Sequence, residues 1–169
     1  MRLKILSVFA AALLLAACET APEETAATDT GGDAGATTES SQVATAAVGA
    51  VPGSAQDLVV NVGDRVFFDF DKSDLKPPAR AQIERWAAWM RQYPQNTVTI
   101  EGHCDERGTR EYNLALGERR ANTGKEYLVA LGIDPNRVAT ISFGKERPAV
   151  LGSGEAVWSQ NRRSVLTLN

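Results

Sequence analysis

Acids and arginines gathered around one strand end carry the chemistry of this chain. The run Gly102-His103-Cys104-Asp105-Glu106-Arg107-Gly108-Thr109 places them at a strand end, a tight glycine turn and a helix start. The block Glu111-Tyr112-Asn113-Leu114-Ala115-Leu116-Gly117-Glu118-Arg119-Arg120-Ala121 follows at once. Such an arrangement can grip a ligand that bears both an ammonium and a carboxylate. Asp105 stands just past the strand's C-terminal end, where ligands of open α/β sheets sit. It either accepts hydrogen bonds from an ammonium or shapes the turn as an Asx residue. Arg120 falls inside an apolar helix stripe, where an unpaired charge is costly. Its planar fork suits a carboxylate. That anion is either an acid of the chain, Asp105 or Glu101, or a ligand. Arg107 reads as an exposed charge. Phe70 and Asp71 end an early strand; they either flank the same site or serve as core packing and a turn.

The elements that position these residues follow from hydrophobic period and punctuation. Leu58–Val62 is a short apolar strand candidate, closed by Gly63-Asp64. Residues 65–70 alternate, with Val66, Phe68 and Phe70 on one face. Pro77-Pro78 suits a helix start, and Ile83, Trp86, Ala87 and Met90 form one stripe before Pro94 ends it. Residues 97–104 form the next strand, with Val98, Ile100, Gly102 and Cys104 on one face and Thr99, Glu101 and His103 on the other. A second helix spans about 110–131, capped by Thr109, striped by Leu116, Gly117, Arg120, Ala121, Gly124, Tyr127, Leu128 and Leu131, and stopped by Gly132. Residues 138–143 read as a third core strand, 144–156 as a loop, and 162–168 as a last strand. The order predicts an α/β (α+β) domain, a mixed sheet of four to five strands with helices on one face.

A metal or thiol-enzyme reading of His103-Cys104-Asp105 fails on geometry. Adjacent strand residues point to opposite faces, and His103 is the sole histidine. Zinc needs three or four ligands, and a cysteine nucleophile needs a base within reach. No metal, no cofactor and no catalytic group is expected, and Cys104 continues the buried face. Trp86, Trp89 and Trp158 read as packing residues. Glu106 beside Asp105 does not make a glycosidase pair, since two carboxylates must flank one bond about 5–10 Å apart.

The chain ends that surround this domain say where it works. Of 169 residues, 18 are basic and 21 acidic. Arg2 and Lys4 precede an apolar run too short to span a bilayer, as in a secretory leader. Leu15-Ala16-Ala17-Cys18 resembles a bacterial lipobox, in which Cys18 is acylated and becomes the first mature residue. Loss of Arg2 and Lys4 leaves 16 basic against 21 acidic residues, a net of −5. From residue 57 onward there are 16 bases and 15 acids, which argues against a nucleic-acid binder. With Cys18 acylated, Cys104 has no disulfide partner. Residues 19–56 hold Ala, Thr, Gly, Ser and Glu but no aromatic residue, a linker composition. Such a tether has a coil span of about 35 Å and a reach on the order of 130 Å. The expected divisions are a leader over 1–17, a lipidated N-terminus and linker over 18–56, and a domain over 57–169.

Five pieces carry a family resemblance: Phe67-Phe68-Asp69-Phe70-Asp71, the Gly102 to Thr109 block, the Glu111 to Ala121 block, Phe143-Gly144-Lys145-Glu146-Arg147-Pro148, and Asn161-Arg162-Arg163. In this order they resemble the OmpA-like peptidoglycan-binding domains, within them the peptidoglycan-associated lipoproteins (Pal) of Gram-negative bacteria. The resemblance covers nearly all of the folded part. It implies that Asp105 and Arg120 grip the diaminopimelate of a stem peptide, that Asn113 and Leu116 hold the family's helix positions, and that Phe70, Asp71 and Arg107 line the same pocket. Gly117 stands where the wider family has serine, as in the Pal branch. It further implies three acyl chains on Cys18, an outer-membrane anchor with the domain in the periplasm, and membership of the Tol–Pal system with TolB and other Tol proteins as partners, acting in constriction at cell division. A lipoprotein sensor, or a wall-binding lipoprotein outside Tol–Pal, is the alternative.

Overall fold

The structure is a computed structural model that describes residues 49–169. The leader, Cys18 and most of the expected linker lie outside the described residues. The first element, α1 (Ala55–Asp57), begins two residues before the expected domain start at Asp57. Ser54 caps it, its Oγ accepting from the Asp57 amide at 3.1 Å. It continues into a π-helical turn over Leu58–Val62, closed by the Gly63 amide donating to the Leu58 carbonyl at 2.8 Å. The strand expected there is therefore helical. The Asp57 carboxylate explains the difference, because it accepts from the Gly53 amide, Asn61 Nδ2 and Trp89 Nε1, each at 2.8 Å, and winds the segment onto the next helix.

Strand β1 (Arg65–Phe67) is shorter than the expected 65–70. Val66 and Phe68 are buried as their alternation predicts, but Phe70 is 56% exposed and leaves the core face. The chain turns there, and Asp71 adopts a left-handed φ of 55°. Helix α2 (Pro77–Gln92) starts at its prolines and ends before Pro94. Its predicted stripe, Ile83, Trp86, Ala87 and Met90, is fully buried. Strand β2 (Val98–His103), helix α3 (Arg110–Ala130) and strand β3 (Val138–Gly144) follow, then α4 (Glu155–Asn161) and β4 (Arg163–Leu168).

Among the described residues, four strands form one mixed sheet in the order β1-β4-β2-β3. Strand β2 pairs parallel with β3 and antiparallel with β4, and β4 pairs antiparallel with β1. Helices α2 and α3 cover the face carrying Val66, Val98, Ile100 and Leu166. Thus the expected mixed α/β sheet stands, with four strands. Two local readings change. Strand β3 is an edge strand with Ile141 44% exposed, and it gives the core only Val138. Helix α4 occupies part of what reads as a loop and an unassigned stretch. It follows Gly154, at φ 101°, and lacks an apolar stripe long enough to announce it.

The face of β2 away from the helices is less open than its polar residues suggest. His103 is 2% exposed, beneath Phe143 at 5.5 Å between ring centroids, and neither ring nitrogen has a hydrogen-bond partner among the described residues. Burial, then the charge of Arg163, lower its pKa from 6.5 to about 4. Neutral at pH 7, it forms no ion pair with Glu101, 3.5 Å away. Because the unfolded chain takes up the proton first as pH falls, this contribution is whole above the unfolded pKa of about 6.5 and is lost toward pH 4. Urea unfolding of the parent is expected to lose about 2–3 kcal/mol more than His103→Leu between pH 7.5 and 4.5. Equal losses would remove His103 as the cause.

Candidate functional site

Four segments meet at the C-terminal end of β2. They are the turn after β1, the β2–α3 connection, the first half of α3 and the start of β4. Together they enclose a cavity of about 150 Å³. The residues singled out in the sequence, Phe70, Asp71, Asp105, Arg107, Asn113, Leu116 and Arg120, all line it. Tyr112 and Arg162 line it too, and no sequence reading had placed them in the site.

The connection is built for a tight reversal. Gly108 sits at φ 89°, which other residues resist. The Thr109 hydroxyl then caps α3, accepting from the Tyr112 amide at 3.2 Å. Asn113 pins the turn from within the helix, Nδ2 donating to the Arg107 and Thr109 carbonyls at 2.7 and 2.9 Å. Leu116 supplies an apolar, buried wall.

Asp105 shapes the turn, as one of its two readings has it, and it also pairs with two arginines. Its Oδ1 accepts from the Arg107 amide and Nε, each at 3.2 Å, which is the turn-forming contact. Its Oδ2 accepts from Arg107 Nη2 at 2.6 Å and Arg162 Nη1 at 3.3 Å. Burial works to raise its pKa, but the hydrogen bonds from Arg107 and Arg162 win and hold the carboxyl below the ordinary range. The site therefore keeps a buried carboxylate ionised at neutral pH.

Arg107 is not the free surface charge expected. Its guanidinium is sandwiched between the rings of Phe70 and Trp158, 3.9 and 4.0 Å from their centroids. Phe70, out of the core, and Trp158, read as packing, thus form one stack with it. Asp71, beside Phe70, accepts a hydrogen bond from the Tyr112 hydroxyl.

Arg120 is fully buried, as its place in the stripe requires. Neither chain acid weighed for it, Asp105 or Glu101, is among its hydrogen-bond partners. Nε donates to the Lys72 carbonyl at 2.8 Å, Nη1 to the His103 carbonyl at 2.8 Å and Nη2 to the Asp69 carbonyl at 3.0 Å. The turn after β1 aims its carbonyls inward, so dipoles rather than a chain acid satisfy these donors. Dipoles carry no net charge, and the positive charge of Arg120 still acts on the cavity it lines. Arg162 is 5% exposed and donates to the Phe68 carbonyl at 3.1 Å, to Asp105 and to Glu155. Its strand begins at the next residue, where alternation gives no sign of a buried charge.

The lining thus sets Arg107, Arg120 and Arg162 against Asp71 and Asp105. An excess of one positive charge with a carboxylate in its midst suits a ligand whose anionic group sits near a cation. Cys104 also lines the cavity, and its Sγ accepts from Arg120 Nη1 at 3.4 Å. Its thiol is buried, Sγ donates to the Asn113 carbonyl at 3.3 Å, and burial raises its pKa. Among the described residues, no three His, Cys, Asp or Glu side chains cluster as a metal site would require.

Residues 67–162 match the OmpA family. The chain belongs to the OmpA family, in its peptidoglycan-associated lipoprotein branch. The peptidoglycan-associated lipoprotein of Brucella melitensis is 53% identical over 120 residues, 71% of either chain. That of Pseudomonas aeruginosa is 47% identical over 116 residues, 68% of either chain. The crystal structure of the peptidoglycan-associated lipoprotein from Burkholderia pseudomallei superimposes with a TM-score of 0.61 at 40% identity, covering 63% of this chain and 90% of that one. Every residue lining the cavity, from Phe70 to Arg162, falls inside the OmpA-family match. None of these matches indicates an enzyme.

Proposed function

We propose that this chain is a non-covalent tether between the outer membrane and the cell wall. Lipid on Cys18 holds it in the outer membrane after the leader is removed. The linker carries the domain through the periplasm, and the cavity takes the free end of a diaminopimelate residue in the peptidoglycan stem. One observation supports this most: a buried, ionised Asp105 set among Arg107, Arg120 and Arg162, in a cavity of about 150 Å³. The ligand's ammonium is placed on Asp105 and its carboxylate beside the arginines. Charge-assisted hydrogen bonds contribute about 1.5–3 kcal/mol each, so one pocket binds modestly. Many copies in one membrane facing one polymer hold by avidity. The Tol proteins, TolB first, are the proposed protein partners, and the tether serves envelope constriction at division.

The test is sedimentation of the detergent-solubilised full chain with purified sacculi. The chain is expected in the pellet, and a soluble muramyl tripeptide ending in diaminopimelate is expected to release it. A chain that stays in the supernatant with sacculi in excess would overturn wall binding.

A further inference from the structure

We propose that Glu106 is a positioning residue of the pocket: its carboxylate fixes the indole of Trp158, and through that ring the guanidinium of Arg107 beside Asp105. Glu106 follows Asp105 in sequence but is absent from the cavity lining. Its Oε1 accepts from Trp158 Nε1 at 2.9 Å and from the Ser153 hydroxyl at 2.6 Å. The Trp158 ring lies 4.0 Å from the Arg107 guanidinium, whose other face meets Phe70, and whose Nη2 reaches Asp105 at 2.6 Å. The contacts form one relay from an acid outside the cavity to the carboxylate inside it.

The backbone on both sides of the relay is tied as well. Lys145 Nζ donates to the carbonyls of Glu106 and Gly108 at 3.2 and 2.7 Å, clamping the segment after β3 to the β2–α3 turn. Helix α4 therefore meets the site twice, through Trp158 and through Glu155, which pairs with Arg162. The hydrogen bonds from Ser153 and Trp158 also lower the Glu106 pKa, keeping the acceptor charged at neutral pH. Without the indole, Arg107 keeps its bonds to Asp105 but loses one of the two rings that define its plane. A planar, bidentate donor depends on that orientation more than a point charge would.

The inference rests on the pocket reading above, and a ligand-free measurement separates the two. In the full chain in detergent, acrylamide quenching of Trp158, taken as the difference between the parent and Trp158→Phe, is expected to rise in Glu106→Ala and to return largely to the parent level in Glu106→Gln, which keeps an acceptor. Unchanged quenching in Glu106→Ala would overturn the inference, whatever the wall fragment does. Titration with the muramyl tripeptide supplies the functional arm. Glu106→Ala is expected to bind about fivefold more weakly, and to have no further effect in a Trp158→Phe background. An equal loss in both backgrounds would mean that Glu106 touches the ligand directly and would also overturn the positioning role. If the parent fails to bind the fragment, the pocket reading falls while the quenching result still decides the relay.

Discussion

Asp105→Asn is expected to bind the diaminopimelate-ended fragment at least about 30-fold more weakly than the parent, the worth of one strong charge-assisted hydrogen bond. The amide keeps the shape of the carboxylate and can still accept from the Arg107 amide that forms the turn. What it removes is the negative charge. In the parent that charge is buried, at 4% exposure, and held in its ionised form by Arg107 and Arg162. An ammonium approaching the variant meets three arginines and the Asp71 carboxylate alone. The same change leaves Arg107 and Arg162 short of an anion, so some stability is lost as well. Circular dichroism must therefore show a folded variant at the titration temperature. A folded Asp105→Asn that binds like the parent would remove Asp105 from the site.

Gly102→Ala is expected to cost about 3 kcal/mol or more in urea unfolding, at the upper end of overpacking penalties. A methyl group at Gly102 would lie 1.8 Å from the carbonyl oxygen of Gly117. That atom is helix backbone, not the end of a flexible side chain, so α3 as a whole would have to lift from β2. The facing residue is constrained in turn, since a Cβ on Gly117 would meet Ser142 Oγ at 2.4 Å. The loss would reach the cavity, because Arg120 on α3 donates to the His103 carbonyl on β2. Gly132→Ala is the control. Its φ of 89° strains an alanine, but among the described residues nothing lies within 4 Å of the added Cβ. It should cost only about 1 kcal/mol. Similar losses at both positions would show that backbone freedom, rather than the close approach of α3 to β2, is what Gly102 provides.

The sequence made the helices and the site legible for the same reason. In α2 and α3 the period of 3.6 coincides with burial, so the stripe holding Arg120 among Leu116, Ala121 and Gly124 could be read directly. Gly108 and Thr109 announced the turn and cap that aim Asp105. The misreadings come from contacts distant in sequence. Leu58–Val62 is apolar enough for a strand, but Asp57 gathers donors from Gly53, Asn61 and Trp89 and makes it a helical turn. Phe70 keeps the alternation of β1, yet the chain turns before the core can take it. Pairing arguments count charges, and so they offer Arg120 an acid of the chain or an anionic ligand. In the fold Arg120 donates to the carbonyls of residues 69, 72 and 103, which no pattern of side chains encodes. Arg162 and Trp158 escaped because helix α4 and the start of β4 lack the periodicity that marks a face. The five family motifs located Arg162 only as part of a matching string, without assigning it a role.

The most direct test of the pocket is a calorimetric titration of the full chain in detergent with three forms of the muramyl tripeptide. One form carries the free diaminopimelate end, one has its ammonium acetylated, and one has its carboxylate amidated. With Asp105 taking the ammonium and the arginines the carboxylate, the free form binds and each blocked form binds at least about tenfold more weakly. Equal affinity for all three would mean that the wall is held by some other group, and that the acid–arginine cavity is not the binding site.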